Sequence, residues 1–130
     1  KRLKARREEL INYGASILAP CPHNTACPMA DDDWCHFSVR LERTPLHKYI
    51  KNASLNYEDE KFCYLIAVKN TDIQPAPGRL VKKPLKRPGH ILIDLCTPNG
   101  LQRDTLSKKD KSDYKAAQKL AWGDAFLPKK

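Results

Sequence analysis

Three cysteines and three prolines crowd into residues 20–35, PCPHNTACPMADDDWC, and no ordinary core can be built from such a stretch. Proline fixes the backbone and withholds its N–H, so this spacing excludes a helix or strand interior. The run Asp31-Asp32-Asp33 repels itself, and few apolar side chains are present to anchor the loop. Buried cysteines acting as small hydrophobes belong on apolar strands and helices, not here. Thiolates converging on a metal supply the missing anchor, because metal binding energy then becomes folding energy.

The chain holds five cysteines, an odd number that fits no closed disulfide framework. No secretory signal precedes them, which points to a reducing compartment where clustered thiols bind metal or do redox chemistry. Five and then seven residues separate Cys21, Cys27 and Cys35. Zinc sites favour closer pairs, whereas iron–sulfur clusters take four thiolates with looser spacing. Cys96, at the end of a strand and before a turn, is the expected fourth ligand, while Cys63 reads as strand packing. His23 and His36 flank cysteines, as ligands of a mixed zinc site or as donors to a sulfur. His47 and His90 belong to no constellation and are expected at the surface.

Hydrophobic spacing predicts an α/β fold. Residues 1–13 read as a helix with Leu3, Leu10 and Ile11 on one face, stopped by Gly14. A short buried strand follows over 15–19. Phe37 and Leu41, four apart, predict a helix over 34–43, and Leu46, Tyr49 and Ile50 a second one over 46–51. Residues 62–68 are rich in aromatic and β-branched types and predict a strand. A proline-rich stretch over 70–90 carries a short strand at Leu80-Val81. His90 to Cys96 alternates, with Ile91, Ile93 and Leu95 on one face, and Asn99-Gly100 turns it into a hairpin with 101–106. Ser112 is the expected cap of a last helix whose inner side carries Tyr114, Ala117 and Ala121. Glu58-Asp59-Glu60 is expected on a solvated loop or helix end, with arginine partners.

Net charge is +9 and uneven: residues 1–70 carry 11 Lys/Arg against 9 Asp/Glu, residues 71–130 carry 13 against 6. A basic half of this kind suits a polyanion. Arg40, Arg43, Lys82, Lys83, Lys86, Arg87, Lys108 and Lys109 are the expected phosphate contacts, with electrostatic rather than base-reading recognition. Trp34 and Tyr57 have the rings to stack on bases, though core packing is their expected role. No run of 18 apolar residues exists, so no helix here is expected to span a membrane.

The segment from Ala19 to Leu65, with its Cys-Pro-His and Trp-Cys-His-Phe motifs, resembles methyltransferase-like small-ribosomal-subunit assembly factors of mitochondria and their bacterial relatives. The resemblance extends to Trp122-Gly123-Asp124. It implies that Cys21, Cys27, Cys35 and Cys96 hold a 4Fe–4S cluster; Cys63 stands where that family has a small hydroxyl residue. It also implies that residues 1–69 are the C-terminal end of a Rossmann-like methyltransferase core carrying a cysteine-rich metal loop. Residues 70–130 would be a small, β-rich basic extension with the fourth cysteine. An S-adenosylmethionine site is expected only upstream, for the chain starts at Lys1 inside a helical pattern and reads as a piece of a longer protein. Alone it is expected not to catalyse methyl transfer.

The expected function is a cluster-stabilised, monomeric module that binds small-subunit rRNA and ribosomal proteins, in a bacterial cytoplasm or a mitochondrial matrix. Its rivals are a zinc-stabilised protein-interaction domain and, for the intact protein, a catalytic rRNA methyltransferase.

Overall fold

The structure, a computed structural model, describes residues 2–129. Lys1, the first residue of the expected opening helix, lies outside them. Helix α1 (Arg2–Asn12) leads through Gly14 into β1 (Ser16–Ala19), and the Ala19–Pro20 peptide is cis. The Cys-Pro loop then runs to β2 (Phe37–Glu42), α2 (Pro45–Ile50), β3 (Tyr57–Phe62) and β4 (Ile66–Val68). Two short strands, β5 (Arg79–Leu80) and β6 (Leu85–Arg87), precede the long hairpin β7 (His90–Thr97) and β8 (Gly100–Ser107). A 3-10 turn, Lys108–Asp110, and α3 (Lys111–Ala117) complete the elements.

All pairings are antiparallel: β1 with β4, β2 with β3, and β7 with β8 along one edge. The other edge of β7 is shared by β6, opposite Ile91 and Leu92, and β5, opposite Leu95 and Cys96. This is a mixed α/β domain with small antiparallel sheets. The core lies where α3 crosses the hairpin, and Leu80, Ile91, Ile93, Leu95, Leu106 and Ala117 are buried there, with Tyr114, Leu120 and Phe126 packed against them. Alternation along β7 puts Ile91, Ile93 and Leu95 inward as expected, and Cys96 and Thr97 are buried as well.

Four expectations need correction. Residues 34–43 contain no helix; β2 forms there, because Phe37, Val39 and Leu41 also alternate with a period of two and strand β3 offers complementary partners. Residues 62–68 are not one strand, since β3 ends at Phe62 and β4, in another sheet, begins at Ile66. Asp110, not Ser112, occupies the N-cap position of the last helix, and its side chain is used in a capping box with Ser107 around the 3-10 turn that leads directly into α3. On α1 the fully buried residue is Arg7, whereas Leu10 on the expected apolar face is exposed. No helix of the described residues is long and apolar enough to cross a membrane.

Candidate metal centre and basic groove

The loop after β1 is held by cations. Arg7 of α1 donates through Nη2 to the carbonyls of His23 and Thr25, both at 2.8 Å. Lys4, one turn earlier, donates through Nζ to the carbonyls of Met29 at 2.8 Å and Ala30 at 2.9 Å. From the far side, Arg79 of β5 reaches the Pro20 carbonyl through Nε at 3.1 Å and the Gly123 carbonyl through Nη1 at 3.1 Å. Three basic side chains thus satisfy backbone acceptors that prolines and missing strand partners leave open.

Held this way, Cys21, Cys27 and Cys35 meet Cys96 of β7 around one cavity of about 20 Å³, which Arg79 also lines. A second, wider cavity of about 250 Å³ shares Cys21, Cys27 and Cys35 and adds Cys63, Trp34 and Arg7. Cys63 is exposed in the break between β3 and β4, so the expectation that it packs inside a strand is wrong; it lines only the wider space. His23 places Nε2 at 3.5 Å from Cys96 Sγ and Nδ1 at 2.8 Å from Thr25 Oγ1. A ring whose Nδ1 accepts from the threonine hydroxyl has its Nε2–H free to donate to the sulfur.

The electrostatics are those of thiols that resist ionising without a cation. Burial first, then the neighbouring cysteines, push the Cys35 thiol up to about 12. Burial, then Cys21 and Cys27, push Cys96 up to about 12, with Arg7 pulling the other way. Burial raises Cys21 too, opposed by the charge and hydrogen bond of Arg7. Among the described residues, no three His, Cys, Asp or Glu side chains converge as ligands of a single ion. The donor chemistry fits a thiolate-bound metal group all the same: four cysteines line one cavity, and Arg7, whose Nε is the buried side-chain nitrogen without a hydrogen-bond partner among the described residues, lines the wider one with three of them.

The expected phosphate contacts divide into two groups and two isolated residues. Arg40, Lys83 and Lys86 line a groove of about 790 Å³ together with Lys119, Asp59 and Trp122. Arg40 is bound bidentately to Asp59, at 2.8 and 2.9 Å, and lies 3.9 Å from the centroid of the Tyr57 ring. Lys86 Nζ donates to the Gln118 carbonyl at 2.6 Å, while the Arg40 hydrogen bond first, then the charges of Arg40 and Lys83, hold the Asp59 carboxyl below its usual range. Arg87, Lys108 and Lys109 form a second group at the opposite end of the hairpin from Cys96, because Arg87 pairs with His90 and His90 with Ser107. Arg43 stands apart, half enclosed against Glu58 at 3.0 Å. Lys82 is exposed beside Asp94, which Arg103 binds first.

An aromatic stack joins cavity and groove. His36, next to Cys35, stacks on Trp34 with centroids 4.3 Å apart and meets the Trp122 edge at 5.0 Å. Trp122 in turn anchors its Nε1–H on the Val81 carbonyl at 3.0 Å. Trp34 remains 42% exposed and Tyr57 36%, so neither is the core residue expected. Arg7, Arg79 and Lys119 carry no sequence signal that separates them from the other basic residues.

A family model described as mitochondrial small ribosomal subunit Rsm22 matches residues 1–127. Among curated relatives, the Rsm22-cox11 tandem protein 1 of Schizosaccharomyces pombe is 26% identical over 95% of this chain and 21% of its own length. The human ribosome assembly protein METTL17 is 29% identical over 86% of the chain and 24% of its own length. The Saccharomyces cerevisiae ribosome assembly protein RSM22 is 24% identical over 88% of the chain and 29% of its own length. All three are named as mitochondrial, and the chain spans between about a fifth and three tenths of each. Since the family model runs through nearly every residue, the chain belongs to the Rsm22 family.

Proposed function

We propose that this chain is a metal-stabilised module of a mitochondrial small-subunit assembly factor, in which Cys21, Cys27, Cys35 and Cys96 hold a 4Fe–4S cluster and the basic groove contacts small-subunit rRNA. The observation that carries the reading is the meeting of four thiols, from a loop and a distant strand, around one cavity. Zinc draws its ligands to about 2.3 Å from a single ion, whereas a cluster spreads four thiolates round a core of several atoms. The five and seven residues between Cys21, Cys27 and Cys35 favour the second arrangement. With every iron ligated by cysteine, the cluster would brace the loop and have no open position for substrate.

On the RNA side, Arg40, Lys83, Lys86 and Lys119 against Asp59 leave the groove net positive. A phosphodiester backbone is the polyanion such a surface selects, through counterion release rather than base reading. Family membership and the ribosome-assembly names of the relatives favour small-subunit rRNA as that backbone, in the mitochondrial matrix. The S-adenosylmethionine site, on this reading, lies outside this module.

Anaerobic purification followed by iron, sulfide and zinc analysis tests the metal directly. Serine at Cys21, Cys27, Cys35 or Cys96 should abolish the visible absorption and destabilise the domain, whereas Cys63→Ser should keep both. Stoichiometric zinc without sulfide would replace the cluster by the simpler structural ion. Bleaching by Cys63→Ser but not by Cys96→Ser would overturn the ligand set.

A further inference from the structure

Arg7 is 4% exposed, and burying a guanidinium is costly unless its donors and charge are met. Two donors are met by the carbonyls of His23 and Thr25, at 2.8 Å each, which fixes the turn between Cys21 and Cys27. Nε is not: it has no partner among the described residues. The same side chain lines the cavity that Cys21, Cys27 and Cys35 share. A buried donor left open beside Cys21, Cys27 and Cys35 is best met by a sulfur that carries negative charge.

We infer that Arg7 is the built-in counter-charge and positioning residue of the thiolate site, pinning the Cys21–Cys27 turn through two carbonyls and offering Nε–H to the anionic sulfur of the bound centre. This rests on the cluster reading above. Four thiolates outweigh the positive charge of an iron–sulfide core, so the filled site is an anion enclosed by protein. A fixed guanidinium beside it stabilises that anion, and stabilises it further once an electron is added. Net charge and hydrogen bonds to sulfur are the levers that set cluster potentials. His23, whose carbonyl Arg7 holds, places its own ring Nε2 at 3.5 Å from Cys96 Sγ.

The experiment is a spectroelectrochemical titration of the anaerobically reconstituted protein, comparing wild type with Arg7→Gln and Arg7→Lys. Arg7→Gln should shift the potential to more negative values, and Arg7→Lys should leave it near that of the wild type, a contrast that a purely structural role does not produce. If Arg7→Gln fails to take up iron and sulfide while Arg7→Lys takes them up, the counter-charge is again supported. A loaded Arg7→Gln protein with unchanged potential overturns the inference and spares the cluster. Failure of both variants to load assigns Arg7 to loop structure alone and overturns the counter-charge. A wild type that takes up neither iron nor sulfide removes the cluster reading and the role of Arg7 with it.

Discussion

Glu58 of β3 gathers three basic side chains from α2 and its two ends: Arg43 at 3.0 Å, His47 at 3.2 Å and Lys51 at 2.9 Å. Hydrogen bonds from Lys51 and then Arg43 hold its carboxyl below the usual carboxylate range. A carboxylate whose pKa is depressed by folding contributes stability above its unfolded value and loses it as pH falls through the folded one. Between about pH 5 and about pH 3, the unfolding midpoint of the wild type should therefore fall more steeply than that of Glu58→Gln. Parallel pH profiles would show that the cluster of charges adds nothing. That Glu58-Asp59-Glu60 would find arginine partners could be read from the sequence, because a run of carboxylates in a basic chain attracts them. The place of Cys96 near a strand end before Asn99-Gly100 was local information too, and β7 does run to Thr97 there. Arg7 was out of reach: its role depends on carbonyls 16 and 18 residues further on, and in a charged helix its letter is no different from Arg6.

Strand β2 illustrates why elements were harder to read than residues. Phe37 and Leu41 satisfy a helical spacing and an alternating one equally, and what decides between them lies twenty residues away in β3. There Arg40 faces Asp59 and Phe37 faces Phe62, an ion pair and a ring pair that only a strand register delivers. The hairpin β7–β8 was transparent by contrast, because alternation and an Asn-Gly turn are both local. Beyond the elements, Gly123 closes the C-terminal segment onto β2. Its φ of +95° favours glycine, and an added Cβ would stand 2.9 Å from Phe37 Cδ1. Phe37 is itself 3% exposed and in contact with the rings of Phe62 and Tyr64, so it has little room to retreat. Gly123→Ala should cost about 1–3 kcal/mol in a denaturant titration, from backbone strain and overpacking together. A loss under about 0.5 kcal/mol, the scale of an ordinary surface change, would mean the segment shifts freely instead.

Across the whole molecule the thiols and the groove are not independent surfaces. Cys35 is followed by His36, His36 is packed between Trp34 and Trp122, and Trp122 lines the groove with Lys83, Lys86 and Lys119. Arg79 adds a second tie, since one guanidinium holds Pro20 at the entrance of the cysteine loop and Gly123 beside Trp122. On the cluster reading, a metal group that fixes Cys35 would also fix the wall of the groove, and its loss would release the loop from Cys96, which stays in β7. The metal-free protein keeps the β7–β8 and α3 core, whose apolar residues Leu80, Ile93 and Leu106 owe nothing to the thiols. It should accordingly remain folded by circular dichroism yet bind small-subunit rRNA at least about tenfold more weakly, a loss of roughly 1.4 kcal/mol. Charge reversal at Lys83, Lys86 and Lys119 in the metal-loaded protein should lower affinity as well, and should flatten the dependence of log affinity on log salt by roughly 0.7 to 0.9 for each phosphate contact removed. The two losses differ in kind: removing the metal leaves every cation in the chain but misplaces them, while the reversals keep the wall and remove its charge. Equal affinity of the loaded and the folded metal-free protein at one salt concentration would uncouple the thiol site from RNA. A salt slope indifferent to the three reversals would move the contact to the other basic end, where Arg87, Lys108 and Lys109 stand.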